Sequence, residues 1–410
     1  MKSLSNVFEN IVETNNIYDT MFKAMTGKRK SKTVKEFLSY RNIIDNATAI
    51  QQGLIDGTLP KQEKRVPKII HEPSANKDRE IYPPHNEEHV IHHLVCQELE
   101  PMFMRGMYEF CVASVPKRGG SYGRKFMEKW LKKYERKKLY ALKLDIHHFF
   151  DSIDRRILYD KLSKRIKDVR FAEVVRKIIW YDGEENNIGI PIGFYTSQWF
   201  ANFFLQDFDY FIKQELKVPY YMRYMDDMVF LSPNKRKLRF AENAIRLYLE
   251  KIGLELNSNR QLFRFSYLDL QGKEKGRAID FMGYVFHCNR TTIRKHTLYR
   301  TRKKANKISK KNKHNWYEAS QIISMASTAA SSGRASLKVP SRWNSLSICV
   351  DANTPSSVMS LSLRNVGTDT VRRFCGTSLV QEYDVLQPAS ARTGTITKSI
   401  FLISTLPLRS

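Results

Sequence analysis

The amino-acid sequence predicts an α+β fold, in which helices pack on an antiparallel sheet that carries acidic residues at its rim. Mostly apolar, β-forming runs at 218–223 and 228–231 flank Asp226 and Asp227. This pattern is typical of a β-hairpin with both acids at its turn. A second strand can be predicted further upstream, and apolar residues at helical spacing over 238–256 predict an amphipathic helix.

The upstream run at 138–146 alternates between apolar and other residues, which predicts a strand with Asp145 at its C-terminal end, facing away from the apolar side. Buried flanking strands would hold Asp145, Asp226 and Asp227 at the rim of a core, where like charges repel. Divalent cations relieve such repulsion, and phosphoryl-transfer sites hold two metals roughly 3.5–4 Å apart between carboxylates. We interpret the three acids as metal ligands rather than as solvated turn residues or a helix cap. An all-oxygen ligand set favours Mg²⁺ over Zn²⁺, with Mn²⁺ as an alternative ion.

Charge and composition narrow the class of partner. The chain has 410 residues with 69 Lys plus Arg against 42 Asp plus Glu, a net charge of +27. Such an excess indicates a polyanionic partner, nucleic acid first, with a membrane surface as the other reading. No apolar run is long enough to span a membrane and no secretory core begins the chain, so we expect no membrane association. Scattered cysteines without a Cys-x-x-Cys pair favour reduced thiols in a cytoplasm.

Four segments, in this order and at these spacings, resemble the palm motifs and primer grip of reverse transcriptases. They are LKLDIHHFFDSID at 142–154, GIPIGFYTSQWFANFFL at 189–205, YMRYMDDMVFL at 221–231 and RAIDFMGYVF at 277–286. The segment at 77–103 resembles the fingers of bacterial retroelement enzymes. The resemblance covers roughly residues 20–315 and implies a right-hand polymerase fold with fingers, an antiparallel palm and a helical basic thumb. It implies an RNA-directed DNA polymerase whose partners are an RNA template, a DNA or RNA primer and deoxynucleoside triphosphates.

The resemblance also implies a role for individual residues. A bulky ring at the sugar gate would clash with a 2′-hydroxyl and so select deoxynucleotides. The implied roles are catalysis for Asp145, Asp226 and Asp227; metal binding for these acids and the Ile146 carbonyl; triphosphate contact for Lys77 and Arg79; the sugar gate for Phe150; the nucleotide and template pocket for Ile192, Gly193, Ser197 and Gln198; and the primer grip for Phe281 and Gly283.

The run Ile192-Gly193-Phe194-Tyr195-Thr196-Ser197-Gln198 resembles the I-G-x-x-x-S-Q pattern of diversity-generating retroelement enzymes, where many reverse transcriptases have Gln-Gly. In that family, errors opposite template adenines are the biological output, and a small basic accessory protein is a typical partner. The apolar side chain of Ile cannot donate the hydrogen bonds that a Gln amide offers to a nucleotide or template. Enzymes reject wrong substrates because those substrates leave hydrogen bonds of the site unmade, so fewer polar contacts around the nascent pair would loosen discrimination. The alternatives are a group II intron-like, retron or abortive-infection-type enzyme, and, in another class, a non-catalytic RNA-binding protein.

Composition and the resemblance together predict five regions. Residues 289–320 are strongly basic, and we expect Arg302, Lys303, Lys304 and Lys307 to follow a nucleic-acid backbone without reading sequence. In the last region Lys becomes rare and Ser and Thr become frequent. Its two alternative interpretations are a disordered segment and a frame-shifted translation. The regions are an N-terminal helical region at 1–60, fingers at 61–130, palm at 131–288, thumb at 289–320 and the tail at 321–410.

Overall fold

The computed structural model describes residues 4–72, 77–134, 137–183 and 185–310, and four strands between 346 and 381. The chain divides into two compact units, residues 1–294 and residues 295–410. Among the described residues, no helix has both the length and the apolar character that crossing a membrane requires.

The first unit contains twelve α-helices and a short π-helix among its described residues, together with eleven strands. The helices are α1 Phe8–Val12, α2 Thr14–Ala24, α3 Lys32–Phe37, α4 Ile43–Ile55, α5 Asn86–Gly106, α6 Gly120–Lys132, α7 Phe149–Ser152, α8 Arg155–Ser163, α9 Val169–Ile179, α10 Tyr195–Phe204, α11 Gln206–Tyr210, the π-helix Phe211–Glu215 and α12 Lys235–Lys251. The strands are β1 Lys68–Glu72, β2 Lys77–Ile81, β3 Tyr140–Leu144, β4 Tyr220–Tyr224, β5 Asp227–Ser232, β6 Gln261–Arg264, β7 Tyr267–Leu268, β8 Glu274–Lys275, β9 Ile279–Phe281, β10 Tyr284–Phe286 and β11 Thr291–Ile293.

A four-stranded antiparallel sheet in the order β4-β5-β3-β6 lies at the centre of this unit. Both of its faces are buried, because successive side chains of each strand point to opposite sides and enter two different apolar clusters. Leu142 and Phe230 belong to the larger cluster, which also contains the helices α1, α2, α4, α5 and α10. Ala141 and Val229 belong to the smaller cluster, with α6 and the strands β9 and β10. The predicted α+β class with an antiparallel sheet is confirmed.

The N-terminal residues are helical, as predicted. The apolar positions that follow Val34 in the sequence also predict one amphipathic helix that ends near Gly57, and this prediction is wrong. The structure has two helices there, α3 and α4, separated by residues 38–42. The side chain of Asn42 donates to the Glu36 carbonyl and that of Asn46 donates to the Phe37 carbonyl. Asn side chains that bond to nearby backbone groups compete with the helical ladder, which explains the break.

The helix predicted at 238–256 is present as α12, beginning three residues earlier because the Asn234 side chain accepts hydrogen bonds from the Arg236 and Lys237 amides. The sequence over 260–287, with turn-forming residues at 271–276, predicts a single hairpin, and this prediction is wrong. Its residues form β6, a two-stranded β7–β8 ribbon and a three-stranded sheet in the order β11-β10-β9. Two residues with positive φ, Met282 and Gly283, make an additional turn between β9 and β10.

The second unit begins with α13, Lys295–Lys310, whose position agrees with the predicted basic helix. Arg302, Lys303 and Lys304 are exposed on it, whereas the Lys307 side chain lies outside the described residues. Four strands pair antiparallel further along the chain: β12 Leu346–Cys349, β13 Val358–Asn365, β14 Thr368–Cys375 and β15 Ser378–Gln381. The rest of the predicted tail lies outside the described residues, so its interpretation stays a prediction.

Candidate active site

The acidic hairpin predicted from the sequence is present. Strands β4 and β5 pair with Tyr224 opposite Asp227, so Met225 and Asp226 form a two-residue turn. Met225 has a φ of 60°, a left-handed conformation that favours glycine and that an ordinary side chain adopts only when its surroundings enforce it. The turn therefore presents Asp226 at the tip, with Asp227 as the first residue of β5.

The pairing of β3 with β5 brings the third acid to the same place. Leu144 lies opposite Met228, and the register therefore carries Asp145 to the position opposite Asp227. Residues directly opposite each other on antiparallel strands have Cβ atoms about 4.5–5.5 Å apart and share one face of the sheet. Two carboxylates predicted from separate stretches of sequence are thus neighbours at one edge.

The carboxylates influence each other electrostatically. Burial raises the pKa of Asp145, and the charge of Asp227 raises it further, while a hydrogen bond from the Asn257 side chain, 3.3 Å from Asp145 Oδ2, acts in the opposite direction. Burial, followed by the charge of Asp145, raises the pKa of Asp226 to about 6. Arg79 lowers the pKa of both Asp145 and Asp226. The site therefore holds negative charge at an energetic cost that a nearby cation reduces.

Arg79 lies on the β1–β2 hairpin, which the sequence assigns to the fingers. It lines a cavity of about 380 Å³ together with Tyr82, His148, Asp151 and Ile192. The Tyr82 amide donates to the Ile192 carbonyl at 2.7 Å, which joins the end of this hairpin to the predicted nucleotide pocket. Lys77, the other predicted triphosphate contact, begins β2, and its side chain lies outside the described residues.

Gly193 has a φ of 120°, and a Cβ built there would lie 2.7 Å from the Tyr82 carbonyl oxygen. Only glycine tolerates both the backbone conformation and this close approach. Of the other predicted pocket residues, Ser197 is buried within α10 and Gln198 is exposed, so the two side chains do not share one environment.

The predicted sugar gate is distinguished from its neighbour by burial. Phe149 is 2% exposed and packs in the core, whereas Phe150 is only partly buried. The Ile190 amide donates to the Phe150 carbonyl at 2.9 Å, which ties α7 to the loop that leads into Ile192. Phe150 is therefore the more accessible ring of the pair.

The predicted primer grip differs in detail from the structure. Phe281 is 0% exposed and packs in the smaller apolar cluster, so its side chain is not available to a primer. Gly283 lies in the β9–β10 turn with Met282, and its carbonyl accepts from the Arg294 amide at 3.0 Å. Met282 and Gly283 are partly buried, so this turn is more accessible than the Phe281 ring.

Sequence reasoning missed the groups that hold the acids in place. Arg223 is 0% exposed and pairs with Asp209, which is 1% exposed. Burial alone would lower the pKa of Arg223, but the Asp209 carboxylate more than offsets this and raises it. Asn257 makes two hydrogen bonds to Asp145, because its backbone amide donates to the Asp145 carbonyl at 2.7 Å in addition to the side-chain bond to the carboxylate. The one available signal was an arginine within an otherwise apolar strand, because a buried charge requires a partner.

The donor set suits a hard divalent cation. Within the described residues, no three His, Cys, Asp or Glu side chains converge on a single point as ready ligands. The carboxylates of Asp145, Asp226 and Asp227 nevertheless supply only oxygen, which Mg²⁺ prefers. Burial and, after it, the neighbouring carboxylates raise the pKa of Asp145 and Asp226, and a bound cation would stabilise the charged form of both.

Comparison with known proteins identifies the domain around these acids. Residues 89–286 match the family described as reverse transcriptase (RNA-dependent DNA polymerase). This range includes Asp145, Asp226 and Asp227, together with Phe150, predicted as the sugar gate, and Ile192, predicted to line the nucleotide pocket. The predicted reverse transcriptase resemblance is thus confirmed for this domain.

Solved structures similar to this chain include telomerases of two yeasts. Telomerase from Candida albicans, in complex with a TWJ fragment of telomeric RNA, is 16% identical, with a TM-score of 0.40, over 57% of this chain and 46% of that one. Apo telomerase from Candida tropicalis, truncated from its C-terminal domain, is 15% identical, with a TM-score of 0.40, over 60% of this chain and 59% of that one. The chain therefore spans about half the length of these proteins.

The raised pKa of Asp226 leads to a stability prediction. Since the folded protein binds this proton up to pH about 6 and the unfolded chain releases it near 3.8, the metal-free fold loses stability as pH rises across that window. Asp226→Asn removes the loss. We expect the variant to be more stable than wild type by on the order of 1 kcal/mol at about pH 7.5 in EDTA, and the difference to shrink towards about pH 4.

Urea unfolding at the two pH values measures this difference. Asp19→Asn, at an exposed position on α2, is the matched control and should change little at either pH. An Asp226→Asn variant no more stable than wild type at neutral pH would show that burial and the neighbouring charges do not raise the pKa of Asp226 in the folded protein.

Proposed function

Since residues 89–286 form a reverse transcriptase domain, we propose that the chain is an RNA-directed DNA polymerase. It adds deoxynucleotides to the 3′-hydroxyl of a DNA or RNA primer opposite an RNA template and releases pyrophosphate. The observation that carries the proposal is the meeting of Asp145 with Asp226 and Asp227 at one edge of the sheet inside this domain. A non-catalytic RNA-binding protein would have no use for three acids gathered at one edge of the sheet, where burial and neighbouring carboxylates raise the pKa of Asp145 and Asp226.

Asp145 and Asp226 would hold the metal ions, assisted by Asp227 and by the Ile146 carbonyl. When bound, two Mg²⁺ ions lower the pKa of the primer hydroxyl and stabilise the leaving pyrophosphate, and Mn²⁺ has the same ligand preference. The chain itself forms no covalent bond to the substrate, so its contribution is positioning and charge stabilisation.

The cavity beside Arg79 is the proposed nucleotide site. A planar guanidinium binds phosphate oxygens in pairs, so Arg79, with Lys77 on the same strand, would hold the triphosphate. Phe150 would lie under the sugar, while Ile192, Gly193, Ser197 and Gln198 would belong to the nucleotide and template pocket. The β9–β10 turn at Gly283 would support the primer end.

The duplex is the proposed partner of α13. Arg302, Lys303, Lys304 and Lys307 lie on this helix, and a row of cations contacts phosphates independently of sequence. Such contacts release counterions, so we expect template-primer binding to weaken steeply with salt.

We further propose that the enzyme is of the diversity-generating retroelement type and makes errors at template adenines. Support comes from Ile192, whose side chain offers no hydrogen bond where many reverse transcriptases have a Gln amide. A small basic accessory protein is proposed as a partner on the same resemblance. A group II intron-like, retron or abortive-infection-type enzyme would share the polymerase chemistry but would spread its errors evenly.

Primer extension on a defined RNA template with Mg²⁺, followed by deep sequencing of the cDNA, tests both levels of the proposal. We expect extension by the wild type, loss of at least about a thousandfold in Asp145→Asn and Asp226→Asn, and errors concentrated opposite adenines. Asp19→Asn serves as the control and should extend normally. Extension that survives in the two active-site variants would contradict the assignment of the acids. Evenly distributed errors would remove the diversification proposal and leave the polymerase.

The gate assignment predicts a change in sugar selection. Phe150→Val removes the ring that would clash with a 2′-hydroxyl, so we expect ribonucleotide insertion to rise by about tenfold or more relative to deoxynucleotide insertion. Single-nucleotide insertion kinetics with matched dNTP and rNTP pairs measure the ratio. Phe149→Leu, at the buried neighbouring position, is the control and should keep the wild-type ratio. An unchanged ratio in Phe150→Val would contradict the gate.

A further inference from the structure

The acidic hairpin is anchored by a charge that lies inside the protein. Arg223, on β4, directs its guanidinium into the core and donates from Nε and Nη2 to the two carboxylate oxygens of Asp209, at 2.9 and 2.6 Å. Asp209 lies on α11 and also accepts from the Tyr221 hydroxyl at 2.7 Å. A fully buried, bidentate pair of this kind is geometrically specific, since each member loses its water only because the other replaces it.

The remaining nitrogen of the same guanidinium reaches the turn itself. Arg223 Nη1 donates to the Met225 carbonyl at 3.1 Å and to Asn202 Oδ1 at 2.9 Å. The Met225 carbonyl and the Asp226 amide belong to one planar peptide group, so holding the carbonyl fixes the plane from which Asp226 departs. Met225 has a φ of 60°, and the hydrogen bond supplies a contact that holds this unfavourable conformation in place.

The backbone of Arg223 and the side chain of Asn202 are also held, by the segment at residues 110–113. The Arg223 amide donates to the Phe110 carbonyl and the Arg223 carbonyl accepts from the Val112 amide, both at 3.0 Å. The Asn202 side chain donates to the Ala113 carbonyl at 3.0 Å, so it too is tied to this segment. Asp209 on α11 and Asn202 on α10 therefore fix the guanidinium, while the 110–113 segment holds the Arg223 backbone and the Asn202 side chain.

We propose that Arg223 is a positioning residue for Asp226, which it orients towards Asp145 by clamping the Met225 carbonyl. The inference rests on the proposed function, because it assigns Arg223 a part in presenting a metal ligand. A guanidinium fork is required for this role. A lysine at 223 has one nitrogen and cannot reach both Asp209 oxygens and the turn at once.

Three variants of the full chain separate positioning from stability. Arg223→Lys keeps the charge without the fork. Arg223→Met leaves Asp209 buried and unpaired, whereas Arg223→Met/Asp209→Asn removes both charges and should recover stability without recovering the clamp. The matched control is Arg65→Met, which breaks another buried pair, between Arg65 and Glu88, with side-chain exposures of 5% and 4%. Arg65→Met should lower stability and leave the turn unchanged.

Two measurements report, independently of catalysis, whether Arg223 holds the Met225 carbonyl. Hydrogen exchange over residues 224–228, in metal-free protein, reports the turn directly. Mn²⁺ titration followed by electron paramagnetic resonance reports the ligands, with Asp226→Asn identifying the site. We expect faster exchange and about tenfold or greater loss of Mn²⁺ affinity in Arg223→Lys and in the double variant. In single-nucleotide addition, kcat should fall by a similar factor while KM for the nucleotide stays within about threefold of wild type.

Wild-type exchange together with wild-type Mn²⁺ affinity in either variant would overturn the proposal and show that Arg223 only stabilises the fold. Failure of the proposed function gives a different result. If the proposed function is wrong, the wild type will not extend a primer and will have no Mn²⁺ site that Asp226→Asn removes. The hydrogen-exchange measurement would still decide whether Arg223 holds the turn.

Discussion

Three carboxylates meet at one edge of the central sheet, and repulsion among their charges has to be balanced by the rest of the fold. The pairing of β3 with β5 forces the meeting, since it sets Asp145 opposite Asp227, and the two-residue turn adds Asp226. Burial first, and the neighbouring carboxylates second, raise the pKa of Asp145 and Asp226. A site of this kind is costly without a cation and favourable with one, which is how a rigid protein prepares to bind metal.

The fold withstands this repulsion because both faces of the sheet are buried. Side chains of β3 and β5 enter two apolar clusters, so neither strand can slide without exposing an entire face to water. Polar contacts then fix the individual acids. Asn257 holds Asp145 through its side chain and its backbone, and Arg223 holds the turn before Asp226. Apolar packing thus sets the register, and a small number of buried hydrogen bonds set the direction of the ligands.

Local patterns in the sequence were sufficient to predict the hairpin, the strand before Asp145 and the α+β class, because alternation and turn chemistry involve neighbouring residues. Contacts between distant residues were not predictable in this way. Arg223 and Asp209 lie on different elements, and only the fold shows that they pair. The break between α3 and α4 depends on Asn side chains that compete for backbone groups, and Phe281 is buried by packing in the smaller apolar cluster, among residues distant in sequence. The sequence motifs were therefore enough to predict where the site lies, whereas the contacts that support it are visible only in the structure.

The central claim is that Asp145 and Asp226 are held together to bind the ions that run nucleotide addition. Anomalous diffraction from crystals grown with Mn²⁺, an RNA template, a primer lacking its 3′-hydroxyl and the matched dNTP tests it most directly. We expect Mn²⁺ peaks in contact with the carboxylates of both Asp145 and Asp226, with the nucleotide phosphates between these acids and Arg79. A nucleotide bound in the cavity with no Mn²⁺ at either carboxylate would contradict it.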